Sequence, residues 1–124
     1  MNCGRAAPAA SRVRCRSSSR PQPDPDEGFE ASGEHLSPDD RPHGLMSPEG
    51  PDAGDLPNLY ADSQVRVRAE MFTTLASLDG SVGARILDDD GAALIIHENP
   101  DDHHSQPIGG SGSRIACAVI EGKR

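Results

Sequence analysis

Five histidines are spread along this chain, and three of them stand where imidazole and carboxylate groups could converge on one ion. His35 and His43 are separated by proline and turn residues, Asp52 and Asp55 follow in the same stretch, and His97 closes a short apolar run. A lone histidine in a polar loop is most often just solvated. Several together, with two aspartates in a stretch too long for an ordinary connection, favour a bound metal. Nitrogen and oxygen donors without thiolate suit zinc or copper in tetrahedral or tetragonal coordination. The cysteines Cys3, Cys15 and Cys117 form no Cys-x-x-Cys pair, which excludes a zinc finger on spacing. Their odd number allows one disulfide and one remaining thiol.

Such residues need elements to hold them. From Phe29 to Pro57 the chain is rich in turns, with Pro38, Pro42, Pro48, Pro51 and Pro57 and glycines between them. A segment of about thirty residues without regular periodicity is, inside a compact domain, a functional loop or a disordered one. Strand signals follow. Val65, Val67, Ala69 and Met71 alternate with Arg66, Arg68 and Glu70, the period of a half-buried strand. Ala92 to His97 is an apolar run opened by the turn Asp88-Asp89-Asp90-Gly91, and Ile115 to Ile120 is another, preceded by Gly109-Gly110-Ser111-Gly112-Ser113. A second long polar loop, Glu98 to Arg114, joins these two runs. Helical periodicity is absent, so the fold class expected is all-β, with few strands and two large loops that carry the function.

Composition bounds the rest. With 124 residues, 34% of them apolar and no tryptophan, the chain is one domain at most, with a modest core. The first twenty residues hold five arginines and no acid, leaving seven basic and all twenty acidic residues to the remainder. An acidic body argues against nucleic acid and anionic membrane as partners. No stretch approaches the roughly 18 consecutive apolar residues of a membrane span. The N-terminus lacks the apolar centre of an intact secretory signal. Residues 1–28 read as irregular, because the run Pro21-Gln22-Pro23-Asp24-Pro25-Asp26 blocks helix and central strand alike.

Four motifs in order carry a resemblance. Phe29-Glu30-Ala31-Ser32-Gly33-Glu34-His35-Leu36-Ser37-Pro38, Gly54-Asp55-Leu56-Pro57-Asn58-Leu59, the run from Ala93 through His97 to Asp102, and Gly109 through Arg114 to Ile120 together resemble the copper/zinc superoxide dismutases of bacteria. The resemblance covers residues 29–124 as a partial domain. It implies an immunoglobulin-like Greek-key β-sandwich or flattened barrel, incomplete here, with long zinc and electrostatic loops. It implies copper and zinc as cofactors: His35 bridging both ions, His97 on copper, and His43 and Asp55 on zinc. Asp101 would orient ligand histidines from behind, and Arg114 would attract superoxide at the copper, staying charged at every working pH. Cys117 would form a disulfide, with Cys15 as the candidate partner. In that family superoxide is converted to dioxygen and hydrogen peroxide, with protons supplied through the bridging histidine and water. Its bacterial members work in the periplasm or are secreted, and a homodimer is among the assemblies the resemblance allows.

The chain also departs from the family pattern. No histidine precedes His35, whereas the family draws two copper ligands from a His-x-His pair on an earlier strand. Asp52 occupies the place of the third zinc histidine, three residues before Asp55. Two carboxylates with two imidazoles make a harder, more easily protonated site, so weaker zinc binding is expected. His103 and His104 lie beyond the matching positions and are read as solvated. Cys3 has no role. An N-terminus that is truncated or aberrant is the expectation, with residues 58–124 supplying about half a barrel that is marginal as a monomer. The functions left open are a superoxide dismutase, a non-catalytic zinc-binding or scaffold relative, and an inactive fragment.

Overall fold

A computed structural model of the chain describes residues 7–9, 11–15, 26, 29–89 and 91–122. Its regular structure is almost all strand: β1 Ala7–Ala9, β2 Ser11–Cys15, β3 Leu59–Ala61, β4 Ala76–Ser77, β5 Ala84–Arg85, β6 Ala92–His97 and β7 Arg114–Ile120, with one 3-10 turn at Glu30–Ser32. The all-β reading therefore holds. None of the described helices is long and apolar enough to cross a membrane.

The central sheet is antiparallel in the order β2-β6-β7. β1 pairs antiparallel with β3, and the short β4 and β5 pair in parallel. β6 is the middle strand, and its Ala-Ala-Leu-Ile-Ile-His sequence suits that place because both faces are covered. Ala92 and Leu94 face a core formed with Leu36, Leu56 and Ala76, joined by Ala53, Ala84, Ile86 and Ile120. Ala93, Ile95 and His97, alternating with them, are also buried. The metal loop is thus part of the core: Leu36 and Leu56 pin it to the sheet near both of its ends.

A bulge interrupts the β6–β7 ladder. Ile96 lies opposite Ala116, but His97 lies opposite Arg114, so Ile115 is the extra residue. A bulge of this kind re-aims side chains at the end of a strand. Here it sets His97 and Arg114 directly across from each other.

Three expectations are corrected. The segment Val65 to Met71 forms no strand: Val65 is 86% exposed, Val67 46% and Met71 37%. The Asp62 carboxylate accepts the N–H groups of Gln64 and Arg66, Asp62 N–H donates to the Arg66 carbonyl, and Val65 takes a positive φ of 60°. That local turn supplies the hydrogen bonds a ladder would have supplied, and among the described residues no strand pairs with this segment. Residues 1–28 are not strandless. Ser11–Cys15 pairs along β6 and Ala7–Ala9 along β3, with Pro8 in a two-stranded edge sheet, where proline is tolerated. Tertiary pairing outweighs a weak local signal here; the Pro21–Pro25 run and Cys3 lie outside the described residues. The third correction concerns Cys15 and Cys117. Cys15 is opposite Ala92 and Cys117 opposite Ile95, on strands flanking β6. Two strand spacings across and three residues along put their Cα atoms roughly 14 Å apart, about twice the reach of a disulfide.

Candidate metal centre

The loop from Phe29 to Asn58 folds so that His35, His43, Asp52 and Asp55 each bring one donor atom within 4.8 Å of the others. His43, Asp52 and Asp55 are buried, and the His35 side chain is 16% exposed. His35 Nδ1 lies 2.7 Å from Asp52 Oδ2, and His43 Nδ1 lies 2.5 Å from Asp55 Oδ1. The two rings meet edge to face with centroids 5.9 Å apart.

Main-chain N–H groups aim the carboxylates. Asp55 Oδ2 accepts from Gly44 N–H at 2.8 Å and Asp52 N–H at 3.1 Å, while Asp52 Oδ1 accepts from Gly54 N–H at 3.0 Å. In each aspartate one oxygen is tied to the loop and the other is turned to an imidazole Nδ1. Asp52, expected as a substitute ligand, is held in the same way as Asp55.

A second contact fixes His43. Its Nε2 lies 2.9 Å from Asp101 Oδ1, from the loop after β6. A neutral imidazole has a single N–H to donate. Carboxylates on both nitrogens suit an imidazolium, or a cation at Nδ1 with the N–H on Nε2. Three buried carboxylates in one network also need positive charge nearby. This chemistry fits a divalent ion such as zinc, with two nitrogen and two oxygen donors.

Asp101 is held from two sides. Asn58 Nδ2 donates to its carbonyl and Asn58 Oδ1 accepts its N–H, both at 2.9 Å, and Asp101 Oδ1 accepts His103 N–H at 2.7 Å. Gly109, with a φ of +62°, is packed so that a Cβ would collide with Asp101 Oδ1 and stand 3.0 Å from His43 Nε2. Only glycine leaves room for this contact.

The other half of the site is an open cleft of about 720 Å³ lined by Glu34, His35, Arg41, His97, Gly112 and Arg114, among others. His97 Nδ1–H donates to the Gly112 carbonyl at 2.8 Å, which assigns the lone pair to Nε2. The Arg114 guanidinium donates to the Phe29 carbonyl at 3.0 Å and to Ser32 Oγ at 3.1 Å, anchoring it across the first turn of the metal loop. A profile described as copper/zinc superoxide dismutase matches residues 19–120, most of the chain. The chain belongs to the copper/zinc superoxide dismutase family.

Named relatives agree. Superoxide dismutase [Cu-Zn] of Caulobacter vibrioides is 49% identical over 80 residues, covering 64% of this chain and 46% of that protein. Superoxide dismutase [Cu-Zn] 2 of Aquifex aeolicus is 41% identical over 92 residues, 74% of this chain and 54% of that protein. The chain thus spans about half the length of these relatives. Among solved structures, a SOD-like protein from Bacillus subtilis superposes with a TM-score of 0.77 at 35% identity, over 94% of this chain and 74% of its own.

Most of the residues singled out from the dismutase resemblance gather here. His35, His43, Asp52, Asp55 and Asp101 form one contiguous network, and His97 and Arg114 share its cleft with His35. Cys117 stands apart on β7. His104 is exposed, as expected, but His103 is not solvated: its side chain is 16% exposed, it takes a φ of 65°, and it packs between Asn58 and Asp101. Asn58, Gln106 and Gly109 were missed. Asn58 sits inside a matched motif, which was its one sequence signal; Gln106 carried none.

Proposed function

We propose that this chain holds zinc through His35 Nδ1, His43 Nδ1, Asp52 Oδ2 and Asp55 Oδ1, and forms the zinc-loop and C-terminal part of a superoxide-dismutating site. The observation that carries the reading is the four-donor cluster with both carboxylates oriented by main-chain N–H groups. Because Nδ1 of His35 faces the cluster, the ring turns Nε2 the other way, toward the cleft it shares with His97 and Arg114. Those two imidazoles would hold copper in that cleft. Copper, when bound, supplies the alternation between Cu(II) and Cu(I) that oxidises one superoxide to dioxygen and reduces another to peroxide. The protein's own part is to orient His97 through Gly112, to draw the small anion with the anchored Arg114, and to relay a proton taken from water through His35 Nε2 whenever that nitrogen is not holding copper. The Greek-key sandwich, a domain at residues 29–124, and a periplasmic or secreted location belong to the same reading, supported by the bacterial relatives.

One observation favours a second reading. Four donors furnish the zinc half of the site, whereas among the described residues His97 is the one imidazole lining the cleft outside that cluster. A non-catalytic zinc-binding relative would need only the half of the site that is fully furnished. Metal analysis of the purified protein with a dismutation assay decides. Copper and zinc in comparable amounts with activity support the first reading, and zinc without copper or activity supports the second. Uptake of neither metal overturns both.

A further inference from the structure

Gln106 lies in the loop that carries Asp101, yet its side chain grips the main chain of His43, sixty-three positions away. Its Nε2 donates to the His43 carbonyl at 2.6 Å, and its Oε1 accepts His43 N–H at 3.0 Å. The same Nε2 also donates to the His104 carbonyl at 3.2 Å, which ties the amide to its own loop. The pattern is answered from the other side: Asn58, at the end of the metal loop, grips both main-chain groups of Asp101. Each partner of the His43 Nε2–Asp101 Oδ1 contact is therefore held by an amide from the other partner's loop.

We propose that Gln106 is a positioning residue for the metal centre, fixing His43 so that Nε2 meets Asp101 while Nδ1 is presented to the ion. His43 is 3% exposed and has carboxylates on both ring nitrogens, at 2.5 and 2.9 Å. A ring held at both ends tolerates displacement of only about half an ångström before one contact opens. Its backbone must be pinned, and among the described contacts the amide of Gln106 takes both main-chain groups of that residue. A carboxamide suits this, since it donates from Nε2 while accepting at Oε1.

The inference rests on the zinc reading, and the test separates the two. Zinc release is followed by competition with a coloured chelator, the cobalt-substituted protein by its visible ligand-field bands, and the metal-free protein by ¹⁵N NMR of the His43 ring. Gln106→Ala is expected to release zinc about ten to a hundred times faster, to shift the cobalt bands, and to mix the His43 tautomers. Gln106→Glu keeps the size and the acceptor but loses the donor, and is expected to shift the same three readouts in the same direction. His104→Ala, in the same loop, should match the wild type. If both Gln106 variants keep wild-type release, cobalt bands and ring signals, the residue merely stitches two loops and the proposal is overturned. If the wild type takes up no metal, the zinc reading fails instead. The ring signals then decide: a His43 tautomer population altered in both variants upholds the positioning role, and an unaltered one overturns it.

Discussion

At the scale of single residues, the site is determined by which atom of each donor the main chain leaves turned inward. Asp52 shows the point. Its Oδ1 is held by Gly54 and its Oδ2 faces His35, so the carboxylate is ready to bind but remains a harder donor than imidazole. Asp52→His should therefore tighten zinc by on the order of tenfold, about 1.4 kcal/mol, in a chelator competition; no gain would refute Asp52 as a ligand position. Gly109 makes the opposite case, a residue whose value is the side chain it lacks. Gly109→Ala should cost at least about 1–2 kcal/mol from the left-handed backbone alone. It should also separate His43 from Asp101, read by denaturant unfolding and by the His43 ring signals.

At the scale of elements, β6 and the loop after it carry the architecture. Ile95 is fully buried in the middle strand. Ile95→Ala should destabilise by about 2–5 kcal/mol and Ile95→Val by about 0.5–1.5 kcal/mol, a graded loss in denaturant midpoint that a loosely packed sheet would not give. In the following loop the Ser105 hydroxyl and the N–H groups of Ser105 and His104 hold the Asp102 carboxyl down to about 2. A carboxylate depressed in the folded state adds stability above its unfolded value of 3.8, lost as pH falls from there through about 2. An NMR titration of Asp102 should find its midpoint near 2 in the wild type and nearer 3.8 in Ser105→Ala. The sheet register makes a further demand: peptide mapping without reductant should find no Cys15–Cys117 cross-link.

At the scale of the whole molecule, the loop that carries the candidate metal site is also part of the core. Leu36 and Leu56 pack on the sheet while His35, Asp52 and Asp55, beside them in sequence, form the centre. Filling the site should therefore stabilise the entire fold. At a hundredfold excess of free zinc over its dissociation constant, the linkage is about 2.7 kcal/mol, or roughly 10 °C in melting temperature for a chain of this size. A chelator should reverse it, and a melting temperature indifferent to zinc would sever the loop from the core.

The sequence by itself determined the residue types and the strongest local patterns. Ala92 to His97 and Ile115 to Ile120 could be read as strands because uninterrupted β-branched and aliphatic runs leave little alternative. His35, Asp55, His97, Asp101 and Arg114 could be singled out because they stand in specific motifs, and His43 because it shares a long polar loop with His35 and two aspartates. The alternation from Val65 to Met71 misled, since period two says only that one face could be buried, and Val65, Val67 and Met71 stay exposed. Ser11–Cys15 is a strand because β6 offers it a ladder, information held about eighty residues downstream. Gln106 and Asn58 were silent for the same reason. An amide is neutral in any local pattern, and its worth lies in the distant main chain it meets, which only the folded loops bring within hydrogen-bonding reach.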